Sequence, residues 1–368
     1  MSPFKAPRSV ATPTLVMSFA SLGLYRLPAM SRVKAHFGRG LAIFGGDSAP
    51  DPATRLISPD QLEMHLLHNR YWRGEILIQN LPFLRFAKSQ VLLLDLNPRM
   101  PQVWLLLIWR RLLHRPTVLW GHAWPRAGMQ SRTDILRGTM RRLATSLIVY
   151  TRTQAEELAA KYPTITVTAA PNALYSKSEF VFDGEGKRDC FVYVGRLHMA
   201  KKPDLLLRAF ELAYDRMPDL KLVIVGDGDM FVEITRMAST SRAHANIELL
   251  GFVSDYEHLR SIYSRAIASV SPGYVGLSIT QSLSFGVPII ISKTEPHAPE
   301  IEAAVEGQNC EFFSTGDVRD LASRLIKFAN TRRDWANRGQ EITDYCCDRY
   351  SVENMVTGLI HALELELK

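Results

Sequence analysis

The segment KLVIVGDGD (residues 221–229) joins a continuous run of aliphatic residues to a turn that contains two glycines. A run without polar alternation is typical of a strand that is buried on both faces, as the strands of parallel sheets are. Glycines directly after such a strand allow a backbone to approach a ligand closely. The segment therefore predicts a parallel β-strand whose carboxyl end carries a loop suited to ligand contact.

The same scheme repeats outward from this segment in both directions. Strand candidates alternate with stretches of helical apolar spacing, and this alternation predicts a doubly wound α/β fold. The predicted strands are residues 14–18, 41–44, 75–79, 91–95, 117–120 and 147–150 in the first half and 191–194, 221–225, 247–250, 268–271, 288–292 and 310–313 in the second.

The domain organisation follows from a shift in composition over residues 172–188, where Ser, Lys, Asp and Gly collect and predict a linker. The expected architecture is two Rossmann-like domains, residues 1–171 and 189–345, that face each other across a cleft. The last segment, residues 346–368, is expected to form a helix that packs back on the first domain. Ligands bind at the carboxyl ends of strands in such sheets, so both halves would contribute loops to a site.

Length and composition exclude several classes of protein. The chain has 368 residues, of which 46% are hydrophobic and 22% charged, so it is neither disordered, nor collagen-like, nor a small disulfide scaffold. The longest apolar run, 103–109, is far shorter than the roughly 20 residues that a membrane span needs. The apolar stretch 15–20 follows Lys5 and Arg8 but is short for a signal peptide, so we expect the first buried strand there.

The cysteines show neither the spacing of a metal site nor that of a disulfide framework, and a cytoplasmic enzyme is the default expectation. They are Cys190, Cys310, Cys346 and Cys347.

Only the first half of the chain has a net positive charge. Residues 1–170 hold 22 Lys and Arg against 9 Asp and Glu, a net charge of +13, whereas residues 171–368 have a net charge of −6. The basic half would be attracted to phosphates, to an anionic membrane surface or to nucleic acid; a merely solvated surface is the alternative. Its segment VWLLLIWRRLLHR (residues 103–115) fits an interfacial helix with basic flanks or, equally, a core helix that covers a sheet.

Two cationic side chains follow the first predicted strand of the second half. Arg196 stands in VGRL (residues 194–197), and Lys201 precedes a helix that begins near Pro203. Arg offers a planar fork to phosphate oxygens and Lys a point charge, a combination that suits a diphosphate; surface ion pairs are the alternative. Further on, the segment SPGYVGLSITQS (residues 271–282) predicts a strand, a tight loop and a helix whose first amides form a second anion-binding position.

In this order and spacing, these segments resemble the C-terminal half of family 4 glycosyltransferases of the GT-B fold. The resemblance covers residues 189–330 well and extends loosely to the first half through residues 25–28, 120–122 and 171–173. It implies transfer of a sugar from a nucleotide-diphosphate donor, a UDP- or GDP-sugar, with retention of configuration. It implies no metal and no other cofactor. The first domain would bind the acceptor and the second the nucleotide sugar.

The resemblance also implies roles for individual residues. Arg196 and Lys201 would hold the donor diphosphate, and His122 would face the donor sugar from the opposite domain, although a packed or solvent-exposed histidine is the alternative. The implied donor-binding residues are Gly195, Gly226, Asp227, Gly228, Phe252, Val253, Gly273, Tyr274, Val275, Gly276, Leu277, Gln281 and Glu300.

The sequence departs from the family pattern at one place. The family has two glutamates eight positions apart, whereas the aligned positions here are Gly273 and Gln281. The Gln281 amide can still bond a ribose, but Gly273 supplies no side chain. Three explanations are open: the loop amides bind the sugar, Glu300 takes the place of the missing glutamate, or catalysis is lost. We favour the first, which would make this chain a subtype with a Pro-Gly-x-Val-Gly-Leu loop. The turn at residues 296–300 is interpreted as mainly structural, with His297 or Glu300 near the sugar as the alternative.

The expected acceptor is a glycan or a lipid-linked glycan in cell-surface polysaccharide biosynthesis. The basic half would contact an anionic membrane peripherally on the cytoplasmic face, and no nucleic acid partner is expected. Two other functions stay open: a non-catalytic GT-B protein that binds nucleotide or glycan, and another enzyme on the same fold, such as a nucleotide-sugar epimerase or a phosphorylase.

Overall fold

The computed structural model describes residues 13–51, 54–125, 128–129, 131–184 and 186–368, so Lys5 and Arg8 lie outside the described part. The chain divides into two compact units. The first consists of Met1–Ala170 with Val356–Lys368, and the second of Pro171–Met355. Each unit is built around one parallel β-sheet flanked by helices, which confirms the predicted doubly wound α/β class.

The first unit contains a seven-stranded sheet with the order β3-β2-β1-β6-β7-β8-β9. Strand β1 pairs in parallel with both β2 and β6, so that Leu15 lies between Leu41 and Val91. The strands of this unit are β1 (Leu15–Phe19), β2 (Leu41–Gly46), β3 (His65–Leu67), β4 (Asn69–Trp72), β5 (Ile76–Gln79), β6 (Val91–Asp95), β7 (Thr117–Trp120), β8 (Ser146–Val149) and β9 (Thr166–Ala169). Its helices are α1 (Leu27–Phe37), α2 (Phe83–Lys88), α3 (Pro101–Leu112), α4 (Asp134–Leu143) and α5 (Arg152–Lys161).

The second unit contains a six-stranded parallel sheet with the order β12-β11-β10-β13-β14-β15. Its strands are β10 (Cys190–Val194), β11 (Lys221–Val225), β12 (Ile247–Gly251), β13 (Ala266–Ser271), β14 (Ile289–Ser292) and β15 (Cys310–Phe313). Its helices are α6 (Pro203–Tyr214), α7 (Phe231–Thr240), α8 (Tyr256–Ser264), α9 (Ser278–Ser284), α10 (Val318–Asn330), α11 (Arg332–Asn337) and α12 (Gly339–Tyr350); α13 (Val352–Leu367) begins here and ends in the first unit.

Buried strands form where the sequence has continuous aliphatic runs. The strands β10 and β11 are buried over nearly their whole length, as expected for strands covered on both faces. Helices α6 and α10 pack on each other and on this sheet, so Leu206, Phe210 and Leu325 are fully buried. Because the connections are strand–helix–strand, every strand of this sheet points its carboxyl end the same way. The loops that follow the strands therefore gather at one edge.

The C-terminal helix crosses back to the first unit, as predicted, but later in the chain than residue 346. Helix α12 and the first turn of α13 stay with the second unit, and the crossing begins at Val356. Beyond it, the Glu364 carboxylate lies 2.8 Å from His36, and the Thr145 hydroxyl donates to Glu366 at 2.9 Å. These contacts attach the end of α13 to the first unit.

The segment 172–188, predicted as a linker from its composition, packs on the second unit. Asp183 forms two hydrogen bonds of 2.9 Å with the Arg260 guanidinium. The buried Arg188 donates to the Ala266 carbonyl at 2.7 Å. Polar composition alone does not distinguish a free linker from one that is held by ion pairs to its neighbouring domain.

Local structure differs from the sequence expectation in one further place. The strand predicted at residues 75–79 is β5, but it pairs with β4 in a separate antiparallel hairpin and is not a member of the parallel sheet. The short strands β3, β4 and β9 carry His, Asn, Arg or Thr among their residues, so their sequences lack the aliphatic runs that predict strands. Among the residues described, no helix has the length and apolarity needed to cross a membrane.

Candidate functional site

The candidate site of the second unit begins where β10 and β11 end side by side. The Gly195 N–H donates to the Val225 carbonyl at 3.0 Å, and the Leu197 N–H donates to the Asp227 carbonyl at 2.9 Å. Gly226 has a φ of +148°, and an added Cβ there would overlap the Gly195 carbonyl oxygen. Only glycine fits this position, because both its backbone conformation and its neighbour exclude a side chain.

Arg196 follows the end of β10 at this edge, and a hydrogen bond from Tyr193 holds its backbone in place. The Tyr193 hydroxyl donates to the Arg196 carbonyl at 2.7 Å. Burial raises the pKa of Tyr193, so its hydroxyl stays protonated and able to donate. The Arg196 side chain itself is exposed at the carboxyl edge of the sheet. The exposed side chain thus extends from a backbone position that the Tyr193 hydrogen bond holds in place.

The loop after β13 packs directly against the segment that carries Lys201. The Tyr274 N–H donates to the Ala200 carbonyl at 2.8 Å, and the Lys201 ammonium lies 4.5 Å from the centre of the Tyr274 ring. An added Cβ on Gly273 would overlap the Ala200 carbonyl oxygen and lie 2.8 Å from the Lys201 carbonyl carbon. Because β13 pairs with β10, this contact brings the loop, Lys201 and the end of β10 to one place.

The neighbouring Lys202 has a different role. Its ammonium forms an ion pair with Glu295, whose side chain is 12% exposed. Lys202 also adopts the left-handed conformation, with a φ of +50°, immediately before α6. The charge of Lys202 is thus matched within the protein, and Lys201 is the lysine that lies against the loop of residues 273–277.

His297 holds the same loop from its other side, a role that the sequence left open. The Val275 N–H donates to His297 Nδ1 at 3.0 Å, and His297 Nε2 lies 2.8 Å from the Ser292 carbonyl. Because an N–H can only donate and a carbonyl can only accept, the ring must be neutral with its proton on Nε2. Burial lowers the pKa of His297, which maintains that state. His297 is a positioning residue for the loop.

The side chains of Gln281 and Glu300 both form hydrogen bonds within the second unit. The Gln281 amide nitrogen donates to the buried Tyr175 hydroxyl at 3.0 Å, which leaves the amide oxygen as the group that could accept from a ribose hydroxyl. Glu300 is only 5% exposed, and the Asn172 amide donates to its carboxylate at 2.8 Å. This burial favours the structural interpretation of the turn at residues 296–300.

The remaining predicted residues of this unit border the same edge. The Gly226 N–H donates to the carbonyl of Gly251 at 2.7 Å, which places Phe252 and Val253 directly beyond that contact. Phe252 exposes about half of its surface, 53%, so a flat group could stack on it. The Gly228 N–H donates to the Asp227 carboxylate at 2.7 Å. Gly276 and Leu277 form the turn into α9, where the Gly276 carbonyl accepts from Ile279 at 3.1 Å.

His122 belongs to the first unit, in the loop that follows β7. Its imidazole is exposed and meets the Tyr150 ring edge to face, with 5.0 Å between ring centres. The buried Arg26 donates to the Tyr150 hydroxyl at 2.9 Å and stacks over Trp120 at 4.5 Å. The histidine thus lies just beyond the carboxyl end of β7.

A carboxylate that sequence reasoning missed lies at the same edge of the first unit. Asp95, the last residue of β6, accepts a hydrogen bond of 2.5 Å from the Ala20 N–H. Burial raises the pKa of Asp95 to about 6, against the opposing effects of that hydrogen bond and of the Arg26 charge. Its position as the final residue of a predicted strand was the available signal, since ligands bind at such ends.

Comparison with solved structures defines the class of fold. The chain superposes on HepE from Anabaena, solved in complex with UDP, with a TM-score of 0.71, 12% identity and coverage of 96% of this chain and 100% of that one. It superposes on sucrose-phosphate synthase from Thermosynechococcus elongatus with a TM-score of 0.66, 14% identity and coverage of 96% and 98%. This likeness and the two parallel-sheet units confirm the predicted GT-B fold.

Sequence comparison then identifies the second unit more closely. Residues 177–342 match the family described as "Glycosyl transferases group 1", so the sequence of the second unit is similar to that family. The matched range includes every predicted donor-binding residue and both cations, Arg196 and Lys201.

Curated relatives match over shorter stretches. A GDP-mannose-dependent alpha-(1-6)-phosphatidylinositol dimannoside mannosyltransferase of Mycobacterium tuberculosis is 30% identical over 106 residues, which is 28% of this chain and 27% of that protein. The sulfoquinovosyl transferase SQD2 of Arabidopsis thaliana is 23% identical over 153 residues, 41% of this chain and 28% of that protein. The chain thus spans less than two fifths of the length of the curated relatives it matches.

Proposed function

We propose that this protein is a retaining glycosyltransferase of the family 4 type. It would move a sugar from a UDP- or GDP-sugar to a glycan or lipid-linked acceptor in the synthesis of a cell-surface polysaccharide, without a metal ion. One observation carries the proposal: the loop of residues 273–277 packs on the Lys201 segment, at strand ends adjacent to Arg196. Two cations and a glycine loop at the carboxyl edge of a parallel sheet suit a nucleotide diphosphate.

In this proposal the two cations act on the leaving group. Breaking the sugar–phosphate bond leaves negative charge on the diphosphate and positive charge on the sugar. Arg196 would donate two parallel hydrogen bonds to phosphate oxygens, and Lys201 would add a point charge. Groups that are already oriented stabilise such developing charge most effectively. A phosphate oxygen of the leaving diphosphate would accept the proton of the acceptor hydroxyl.

The sugar would be held mainly by backbone groups of the loop. At position 273 a side chain has no room, because the loop backbone lies against Ala200 and Lys201. The close approach that excludes a glutamate also places the loop beside the Lys201 ammonium. The glycine is therefore explained by packing, which supports a functional loop subtype over a decayed site. The Gln281 amide oxygen would accept from the ribose.

His122 is the proposed contact from the first unit to the donor sugar. Its exposed imidazole at the end of β7 supports this role. His122→Gln keeps a hydrogen-bonding group of similar length, whereas His122→Ala removes it. If His122 contacts the sugar, the alanine variant loses turnover and the glutamine variant recovers part of it.

The names of the relatives guide the choice of substrates. The mycobacterial relative is described as GDP-mannose-dependent and as acting on a phosphatidylinositol dimannoside, and HepE was solved with UDP. We therefore include both UDP- and GDP-sugars as donors, and both soluble glycans and a membrane lipid extract as acceptors.

The test is release of nucleoside diphosphate across this panel. We expect release with one donor class that depends on acceptor, and a loss of at least ~100-fold in Arg196→Ala and in Lys201→Ala, the scale of removing one oriented stabilising group. Arg236→Ala is the control, because Arg236 is an exposed cation on α7 of the same unit. Turnover unchanged by both site variants would refute the assignment.

The same panel separates the two alternatives. Conversion of a nucleotide sugar to its epimer without any acceptor would assign an epimerase. A thermal shift with nucleoside diphosphates, but no sugar release from any donor with any acceptor, would assign a non-catalytic nucleotide-binding protein.

A further inference from the structure

Helix α3 has two apolar stripes, of which only one is covered by the sheet. Val103, Leu106, Leu107 and Arg110 face the interior. The spacing i, i+3, i+4, i+7 recurs on a second stripe, and these four side chains are exposed: Leu105, Ile108, Trp109 and Leu112. A surface helix normally has charged or polar residues on that face. The sequence segment 103–115 is therefore both a core helix and an uncovered apolar surface.

The exposed stripe continues onto helix α2. Leu84 of α2 is 70% exposed, as is Leu112 of α3, and the Phe83 and Trp109 rings lie 6.4 Å apart between the two helices. Contiguous exposed apolar side chains of this kind mark an interaction surface.

A basic groove adjoins this surface. A cavity of about 700 Å³ lies beside α2, and Leu84 forms part of its wall. The Lys and Arg side chains along it are Lys34, Arg39, Arg85 and Lys88. Among the described residues that line the groove, Glu63 is the acidic one, and its carboxylate lies 3.3 Å from the Lys34 ammonium. A second cavity of about 330 Å³ shares Lys88 and adds Arg115.

The groove and the end of the apolar stripe lie at the amino ends of the strands. The second cavity is lined by Thr14, Gln90 and Pro116, which directly precede β1, β6 and β7. His122 and Asp95 stand at the carboxyl ends of β7 and β6, so this surface is separate from them within the first unit. The surface and these two residues therefore lie at opposite ends of the strands.

The two helices that carry the surface are locked together by a buried arginine. Arg110 is fully buried and donates to the carbonyls of Phe86 at 2.8 Å and Ser89 at 2.9 Å, at the end of α2. Its Nε donates to Thr117 at the start of β7 at 2.9 Å. Arg110 thus ties the end of α2 to α3 and to the start of β7, so the exposed residues of the two helices share one framework.

We propose that α2, the outer stripe of α3 and the basic groove together dock on a bilayer that contains anionic phospholipid. Leu84, Trp109 and Leu112 enter the headgroup–acyl boundary, where an indole and leucines are favourable, while Arg39 and Lys88 contact lipid phosphates. The +13 net charge of residues 1–170 adds long-range attraction. This inference goes beyond the proposed glycosyltransferase activity and does not depend on it.

The test is co-sedimentation of the full chain with vesicles of phosphatidylcholine, with and without phosphatidylglycerol, in the absence of any nucleotide sugar. We expect binding to the anionic vesicles and a loss of at least ~10-fold in affinity for Leu112→Asp, because a leucine that would enter the headgroup–acyl boundary is exchanged for a charge. Val232→Asp is the matched control, since Val232 is 80% exposed on α7 of the second unit. The control variant should bind like the natural chain.

A charge-reversed pair tests the groove. Arg39→Glu with Lys88→Glu should lower affinity for anionic vesicles at least ~10-fold, as each basic residue near a lipid surface contributes about 1 kcal/mol. Arg216→Glu with Arg236→Glu, two exposed cations of the second unit, is the control. Circular-dichroism melting of every variant checks that the fold is intact.

Three results would overturn the proposal. They are equal binding to neutral and anionic vesicles, equal losses in the surface variants and their controls, and binding of a DNA duplex that survives Leu112→Asp while vesicles are not bound. The last result would assign the basic groove to nucleic acid.

Discussion

The substitution Gly273→Ala tests the packing that builds the candidate donor loop. The new Cβ would overlap the Ala200 carbonyl oxygen and lie 2.8 Å from the Lys201 carbonyl carbon, both of which are backbone atoms that cannot rotate away. The loop must move, and the 2.8 Å hydrogen bond from the Tyr274 N–H to Ala200 is lost or lengthened. Overpacking costs about 1–3 kcal/mol and a lost hydrogen bond about 1 kcal/mol. We expect a decrease of about 2–4 kcal/mol in the free energy of unfolding.

The control lies three residues away in the same loop. A Cβ on Gly276 would lie 3.6 Å from the Ala298 Cβ, which is ordinary van der Waals contact. Urea unfolding and calorimetric titration with UDP and GDP measure both variants. We expect Gly273→Ala to lose stability together with at least ~10-fold in nucleotide affinity, and Gly276→Ala to stay within about 0.5 kcal/mol of the natural chain in stability. Equal behaviour of the two variants would refute the argument that close packing fixes Lys201 and the loop.

Three further predictions concern buried groups. Burial lowers the pKa of His297 below its ordinary value of 6.5. Its contribution to stability is therefore complete above pH 6.5 and declines as the pH falls below that value. In His297→Asn, the free energy of unfolding measured with urea should depend less on pH across this range. The pKa of Asp95 is raised from 3.8 to about 6, so its contribution to stability is complete below pH 3.8 and is lost as the pH rises through 6. The stability of Asp95→Asn relative to the natural chain should therefore improve from pH 4 to pH 7.5 in the same urea assay. An unchanged difference between the two proteins would contradict the assignment. Arg110→Leu leaves buried carbonyls without a donor and should cost at least ~3 kcal/mol, whereas Arg111→Leu, at the exposed neighbouring position, should change stability by less than ~0.5 kcal/mol in thermal unfolding.

Much of the fold could be predicted from the sequence, because strands buried on both faces need uninterrupted aliphatic runs. The predicted strands at residues 91–95, 117–120, 221–225 and 310–313 match β6, β7, β11 and β15 to the residue. The glycine turn after β11 was also recognisable, since Gly226 lies where the Gly195 carbonyl leaves no room for a side chain. Short strands with polar residues, such as β3, carry no such pattern and were missed.

The organisation of the candidate site needed the structure. Nothing in the sequence shows that Lys202 pairs with Glu295 while Lys201 meets Tyr274, because the two lysines are adjacent and chemically identical. The role of His297 depends on two backbone groups, Val275 and Ser292, that are brought to it by tertiary packing. Helical periodicity likewise cannot show which of the two apolar stripes of α3 is covered.

The central claim is that Arg196 and Lys201 bind a diphosphate. Calorimetric titration of the full chain with nucleoside diphosphates and monophosphates tests it most directly. For the natural chain we predict that UDP or GDP binds at least ~10-fold more tightly than the corresponding monophosphate, since charge-assisted contacts to the outer phosphate are each worth more than about 1.5 kcal/mol. The double variant Arg196→Ala, Lys201→Ala should lose that preference, while Arg236→Ala keeps it. An unchanged preference in the double variant would contradict the claim.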